Sequence, residues 1–507
     1  MATSLRAMLE ENAAAFPDRS WLHYEGAQWT YAEGDARANR IAAGLVRIGV
    51  KAGDRVALLF TNCADIVFCY FACFKVGAIA VPINARFQPP EVIYTLEHTQ
   101  ALVLIGQAQL CGAIVPLRDQ LPHLSHIYVA DGPLPGAEAL SDLYGERDGD
   151  AVGASSGGDG VAALLYTSGT TAKPKGVIHT HATLLQQTAN LIDGYGEAAY
   201  AVTAIVAPLY HIGGFSLQML PATQVGGAIW IMPRFDPEMA LRTLAESRAT
   251  LFFGLPTHIN MMANVPDAQE YDLGSLRRCI SGGDCVPLAL QTRFRELFGV
   301  FVDEGCGMTE VLTTYQPGLA GRRAGSIGKP IGDVRIRLED AEGREVPAGK
   351  VGEMVIFSGA LTPGYWNDPQ ATAAAIRNGG MHSGDLARRD DDGFLWFEGR
   401  IKDIIIRGGS NIAPGEVEDA LYSHPAVYEA GVVGVPDAEL GAKVRAYIAL
   451  KPGRHTTEAE LIAWCGERLA AYKVPESIVI ADHLPQGPTG KVSRRALRTH
   501  AEGALKV

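Results

Sequence analysis

Short apolar runs alternate with longer amphipathic stretches through most of this chain, and that alternation restricts its fold more than any other feature. Runs at 56–60, 101–105, 162–166, 228–232, 250–253 and 334–338 read as strands. Residues 32–48, 64–76, 237–246 and 287–298 between them read as amphipathic helices. Strands separated by helices predict α/β layers with largely parallel strands. At 507 residues the chain is too long for one core, since single cores stop growing at roughly 250–300 residues.

The last hundred or so residues read as a separate, smaller α+β unit. A helix is expected over 414–422, with Glu416 and Glu418 near its start, where the helix dipole favours acids. Strands over 427–435 and 444–450 follow, and Thr456 or Thr457 caps a helix running to about Ala471. Gly399-Arg400-Ile401-Lys402-Asp403 just before this unit suits an interdomain hinge, and Gly408-Gly409 can bend sharply. Residues 152–160, rich in Gly and Ser, read as a flexible connector.

Charge and cysteine usage close off several functions. Hydrophobic residues make up 47 % and charged residues 20 %, a globular balance. A net charge of −12 argues against non-specific nucleic-acid binding, although a local site can still hold a polyanion. The eight cysteines form no Cys-x-x-Cys pair and have no matching His cluster, so no zinc site is expected. The N-terminal residues do not read as a signal peptide, and no apolar stretch reaches the ~20 residues needed to span a bilayer. A reducing cytoplasm fits best. The sequence is silent on oligomeric state and leaves a homodimer open.

The chemistry concentrates in Tyr166-Thr167-Ser168-Gly169-Thr170-Thr171-Ala172-Lys173-Pro174-Lys175-Gly176. It follows a strand and gathers hydroxyls, glycines and lysines, which can surround phosphates with donors while a lysine supplies charge. It is not the Walker pattern, and taken alone it is equally a phosphate loop or a polar turn.

This segment resembles the signature loop of the adenylate-forming superfamily, which includes acyl-CoA synthetases, peptide-synthetase adenylation domains and firefly luciferases. Matching motifs recur in the family's order: Pro208-Leu209-Tyr210-His211, Ser281-Gly282-Gly283, Gly307-Met308-Thr309-Glu310, Ser383-Gly384-Asp385, Gly399 to Asp403, Gly408 to Ile412, and Pro488-Thr489-Gly490-Lys491. The resemblance implies a large N-terminal multi-layer α/β domain (1–401) holding ATP and the acyl group. It also implies a smaller, mobile α+β C-terminal domain (402–507).

The same resemblance implies the residue roles. ATP or AMP would be bound by Thr167, Ser168, Gly169, Thr170, Thr171, Lys175, Gly283, Asp284, Glu304, Gly305, Cys306, Gly307, Thr309, Asp385 and Arg400. Asp385 would accept from both ribose hydroxyls, with Arg400 reaching the sugar or phosphate. Glu310, with Thr170 or Thr309, would hold Mg2+, which favours one or two protein oxygens beside phosphate oxygens. Lys491 would bridge the carboxylate and the α-phosphate, and a protonated lysine stabilises the charge that builds there. His211 would gate an acyl pocket formed with Phe215, Val311 and Leu312. Lys402 would be the hinge, about which the small domain exchanges Lys491 for Gly408-Gly409, leaving room for the pantetheine arm of coenzyme A.

The implied activity is ATP-dependent activation of a carboxylic acid, followed by transfer to coenzyme A with release of AMP and pyrophosphate. Loading of an acyl-carrier protein is the alternative. Peptide-synthetase domains place an Asp near His211 to hold a substrate amine; none lies between Ala201 and Gln218, which argues against an α-amino acid. The apolar pocket residues favour a fatty or aryl acid. Two positions depart from the pattern: Ala172 stands where glycine is usual, and Cys306 where a ring usually stacks on adenine. Losing that ring is worth about 0.5–1.5 kcal/mol. Cys306 as a nucleophile is the sharp alternative there, with no partner base visible in the sequence.

Overall fold

Helix Ala64–Val76 lies at the centre of the large domain. The computed structural model describes residues 2–144, 158–167, 174–283, 286–317, 321–437, 439–487 and 492–503. Every residue of this helix from Ile66 to Val76 is buried, so the amphipathic face expected from sequence is absent. A helix enclosed on all sides has to be apolar around its circumference. Lys75 is its buried cation, held by Glu10 and Asp35 at 2.7 Å each, the pairing that burial of a charge requires.

The helix touches Ser20–Tyr24 on one side and Arg55–Leu59 and Ile79–Pro82 on the other, strands of two different sheets. Each sheet has seven strands. The first runs, in spatial order, Val302–Gly305, Arg278–Gly282, Leu251–Gly254, Val202–Ile205, Ala228–Ile231, Ser20–Tyr24 and Ala27–Thr30. The second runs Glu138–Ala139, His126–Val129, Val103–Gly106, Arg55–Leu59, Ile79–Pro82, Val161–Thr167 and Lys175–Thr180. In each, only the final pair in this order is antiparallel, which matches the expected parallel layering. The run expected at 101–105 starts later, at Val103.

The run at 334–338 belongs to neither. It forms Arg335–Glu339 in a five-stranded antiparallel sheet with Val351–Phe357, Gly380–Arg389, Ile376–Arg377 and Leu395–Arg400. No crossover helix separates Arg335–Glu339 from Val351–Phe357, and parallel pairing needs such a crossover.

In the small domain, helix Pro414–Tyr422 packs on a sheet of Val427–Asp437, Gly441–Leu450 and Ser477–Ala481. The helix capped by Thr457 spans Glu458–Gly466, with Glu460 completing the capping box. It stops short of the expected Ala471. Gly466 weakens its last turn, and Arg468 and Leu469 both donate back to the Cys465 carbonyl. Ala470 is then extended, at φ −58° and ψ 143°. The expected connector at 152–160 is described only at 158–160, where Gly158 and Gly160 carbonyls accept from Ala182 and His181.

Candidate active site

Four parallel strands of the first sheet deliver candidate residues or their neighbours at their carboxyl ends, where open α/β sheets place ligands. Val302–Gly305 carries Glu304 and Gly305 and leads to Cys306; Arg278–Gly282 leads to Gly283; Leu251–Gly254 leads to Leu255; and Val202–Ile205 leads towards His211. The first two strands press together at Gly282, where an added Cβ would stand 2.3 Å from the Gly305 carbonyl oxygen. Only glycine permits that approach. Glu304 is buried and accepts from the Val286 amide at 3.1 Å and Gln291 at 3.3 Å.

Cys306 is held through its backbone. Its N–H donates to Thr314 Oγ1 at 2.9 Å, and Thr313 Oγ1 donates to its carbonyl at 2.7 Å. Burial pushes its thiol up to about 12, with the charge of Asp385 adding to the shift. The thiol therefore stays protonated at neutral pH, which removes the nucleophile reading.

Asp385 and Arg400 face each other across two antiparallel strands of the five-stranded sheet. Arg400 Nε lies 2.9 Å from Asp385 Oδ1; the aspartate is buried and the arginine is half exposed. The Ser383 hydroxyl accepts from the Asp385 amide at 3.1 Å and donates to the Met354 carbonyl, fixing the bulge that Ser383-Gly384-Asp385 makes in its strand.

Thr309 and Glu310 form the two-residue turn between Gly307–Met308 and Val311–Leu312. Both are buried, and the buried His179 faces the Thr309 backbone. Tyr365, which no sequence signal identified, donates its hydroxyl to Glu310 Oε1 at 2.7 Å. Lys175 Nζ stands 5.0 Å from the centre of the same ring. Thr167 and Lys175 are paired across antiparallel strands. Ser168, Gly169, Thr170, Thr171 and Ala172 lie outside the described residues, as do Asp284 and Lys491.

On the acyl side, buried Asn62 fixes the approach to His211. Its amide nitrogen donates to the carbonyls of Val206, Ala207 and Met232, and its oxygen accepts from the Leu209 amide at 2.8 Å. Tyr70 donates to the Leu209 carbonyl at 2.8 Å. His211 is half-buried and its Nδ1 accepts from Gly213 N at 3.3 Å. Phe253 crowds Gly213 on the other side. Phe215 begins a π-helical segment, Phe215–Met219, but its ring is fully buried and stacks on Tyr70 at 4.5 Å. Val311 is also fully buried, whereas Leu312 is half-buried.

Lys402 follows the last paired rung of Leu395–Arg400, and burial lowers its pKa, with Arg400 repelling it further. Asp403 pairs with Arg498 at 2.6 Å. Gly408 and Gly409 turn the hairpin Ile405–Arg407 to Ser410–Ile412 with φ of +54° and +81°. A Cβ on Gly409 would meet nothing within 4 Å, so space exists but the backbone conformation excludes most side chains. Gln486 and Val492 bridge across the Pro488 to Lys491 motif. Val492 lines a 190 Å³ cleft between the domains, opposite Leu255 and Pro256. Asn260 donates to the Tyr428 carbonyl across the same boundary at 3.0 Å.

Glycine-lined carboxyl strand ends, a carboxylate–arginine pair on another sheet and a small C-terminal α+β domain together define an enzyme of the nucleotide-activating type. Residues 9–366 match the AMP-binding enzyme family and residues 416–491 match the AMP-binding enzyme C-terminal domain. The chain belongs to the AMP-binding enzyme family, within the adenylate-forming superfamily. It is 36 % identical over 489 residues to a feruloyl-CoA synthase of Amycolatopsis sp, covering 95 % of this chain and 96 % of that one. It is 33 % identical to the long-chain-fatty-acid–CoA ligase FadD13 of Mycobacterium tuberculosis, covering 92 % of each. The crystal structure of the anthranilate CoA ligase AuaEII with anthranoyl-AMP superposes with a TM-score of 0.94 at 31 % identity, covering 99 % of this chain and 98 % of that one. No helix among the described residues is long and apolar enough to cross a membrane.

Proposed function

We propose that this protein uses ATP to convert a fatty or aryl carboxylic acid to its acyl-adenylate and then transfers the acyl group to coenzyme A. The observation that carries the reading is the meeting of residues from distant parts of the chain in two groups, Glu310 with Lys175 about Tyr365 and Asp385 with Arg400 beside Cys306. Likeness to a feruloyl-CoA synthase and an anthranilate CoA ligase over nearly the whole chain supports an aryl acid, and likeness to a long-chain-fatty-acid–CoA ligase supports an aliphatic one.

Asp385 would hold the ribose, its orientation set by Ser383 and Arg400. Lys175 would face the phosphates. Lys491 would supply the positive charge that brings two anions together and stabilises the transition state. Residues 1–401 would bind ATP and acid, and rotation of 402–507 about Lys402 would bring Gly408-Gly409 to the site for thioester formation. His211 would bound the carboxylate, with Leu312 beside it.

Glu310 suits magnesium. It offers a hard, buried carboxylate on the turn after Gly307–Met308. An ion here must complete its shell with phosphate oxygens and water, as magnesium does. When bound, magnesium would neutralise phosphate charge.

The test is pyrophosphate release with a panel of aliphatic, aryl and amino acids, with and without coenzyme A. Acid-dependent release with a CoA thioester among the products is expected. Release without thioester would move the acceptor to a carrier protein, and no release from any acid would overturn the proposal.

A further inference from the structure

Tyr365 lies beyond every motif that points to this chemistry, yet its side chain meets two of the residues that carry it. Its hydroxyl donates to Glu310 Oε1 at 2.7 Å, and its ring face lies 5.0 Å from Lys175 Nζ, inside the ~6 Å reach of a cation–π contact. The backbone around it is fixed on several sides. Tyr365 bridges Val177 on the strand that Lys175 opens, and its N–H donates to Thr372 Oγ1 at 2.9 Å. The next residue, Trp366, donates its N–H to the Gly176 carbonyl at 2.7 Å, and the Ile178 amide donates to the Gly364 carbonyl at 3.0 Å. The Thr362 amide donates to the Glu310 carbonyl at 3.0 Å, so the same segment also holds the Glu310 backbone. Helix Pro369–Ala375, which presents Thr372, thus braces a short strip against both the lysine strand and the glutamate turn.

We propose that Tyr365 is a positioning residue that holds Glu310 and Lys175 as one unit, the hydroxyl fixing the carboxylate and the ring face fixing the ammonium. A phenol hydroxyl is an ordinary donor at neutral pH. A hydrogen bond to a carboxylate is among the stronger kind and is directional. With its Oε1 oriented by Tyr365, the carboxylate keeps one aim towards the phosphates. The two functions separate chemically, because phenylalanine keeps the ring and loses the hydroxyl, whereas leucine loses both.

This inference rests on the reading that Glu310 and Lys175 serve ATP. Tyr365→Phe and Tyr365→Leu are compared with the parent in three assays: pyrophosphate release against Mg2+ and ATP, acyl transfer to coenzyme A from supplied acyl-adenylate, and calorimetric ATP binding without divalent ion. For Tyr365→Phe, kcat/KM for ATP in pyrophosphate release is expected to fall about tenfold. The Mg2+ needed for half-maximal rate should rise, while metal-free ATP binding stays within about twofold. Tyr365→Leu should in addition weaken metal-free ATP binding about threefold. In a Glu310→Gln background, Tyr365→Phe should add little further loss, since both changes remove one interaction.

Wild-type Mg2+ and ATP dependence in Tyr365→Phe would overturn the proposal. So would an equal fall in acyl transfer, or equal metal-free ATP binding by the two variants. Failure of the functional reading shows differently, as a parent protein that releases no pyrophosphate with any acid.

Discussion

Cys306 shows how far a single residue could be read. The motif series picked out the position, and the structure sets it beside Glu304, Asp385 and Arg400 with a protonated thiol. Replacing it by tyrosine restores the ring usual in the resembling enzymes. ATP binding by Cys306→Tyr should tighten about three- to tenfold by calorimetry, the worth of an aromatic face. Unchanged affinity would mean that the side chain does not face the base. His181 was not legible at all, because a histidine in sequence carries no mark of its burial. It is 4 % exposed, neither ring nitrogen has a hydrogen-bond partner among the described residues, and it meets Phe74 edge-on at 5.9 Å. Burial lowers its pKa from 6.5 to about 4. The unfolded chain therefore takes up this proton first as pH falls. Stability is intact above 6.5 and is lost on the way down to about 4, by up to about 3 kcal/mol. A His181→Phe variant should show a shallower fall in melting temperature between pH 7 and 5, with His179 and His258, both shifted the same way, contributing to the slope that remains. An identical slope would remove His181 from the cause.

Elements were most legible where end signals were local. Pro237–Glu246 begins at Asp236, whose side chain accepts from Met239, with Pro237 at the first position. Pro414–Tyr422 likewise opens on its proline. Pairing partners were less legible, because antiparallel and parallel strands carry similar apolar runs, and the region from 335 to 400 was missed as a separate sheet for that reason. Ion pairs between distant elements left no trace in sequence either. Helix Arg494–Gly503 is held at two points, Arg494 to Glu418 at 2.6 Å and Arg498 to Asp403 at 2.6 Å. The second pair ties the residue after the proposed hinge to the helix that begins three residues after Lys491. Arg498→Ala should lower pyrophosphate release several-fold, since the lysine segment loses an anchor, and leave transfer from supplied acyl-adenylate within about twofold. Arg498→Lys should recover part of the loss, Lys being a poorer but still charged partner. Release rates equal to the parent's would show that the pair has no part in placing Lys491.

For the whole molecule, the order of motifs along the chain carried the family and the two-part organisation, because loops at strand ends keep their sequence order even when they converge in space. What did not show was the convergence itself: Tyr365 and Asn62 act through contacts to residues distant in sequence. The proposed division of labour between domains has a direct test. Lys491→Ala should reduce adenylation at least a hundredfold, in the range of a lost electrostatic stabiliser, while acyl transfer from supplied acyl-adenylate stays within about threefold. Equal loss in both half-reactions would contradict the exchange of Lys491 for Gly408-Gly409.

The register of Asp385 opposite Arg400 gives that exchange a further meaning. The paired rung lies two residues before Lys402, so a swivel at Lys402 would turn the small domain while both residues proposed to hold the sugar stay in the stationary part. A labile mixed anhydride would then never be passed between binding surfaces. It would wait in one berth while its surroundings change, shielded from hydrolysis until a thiol arrives, and little of it should escape into solution between the two steps.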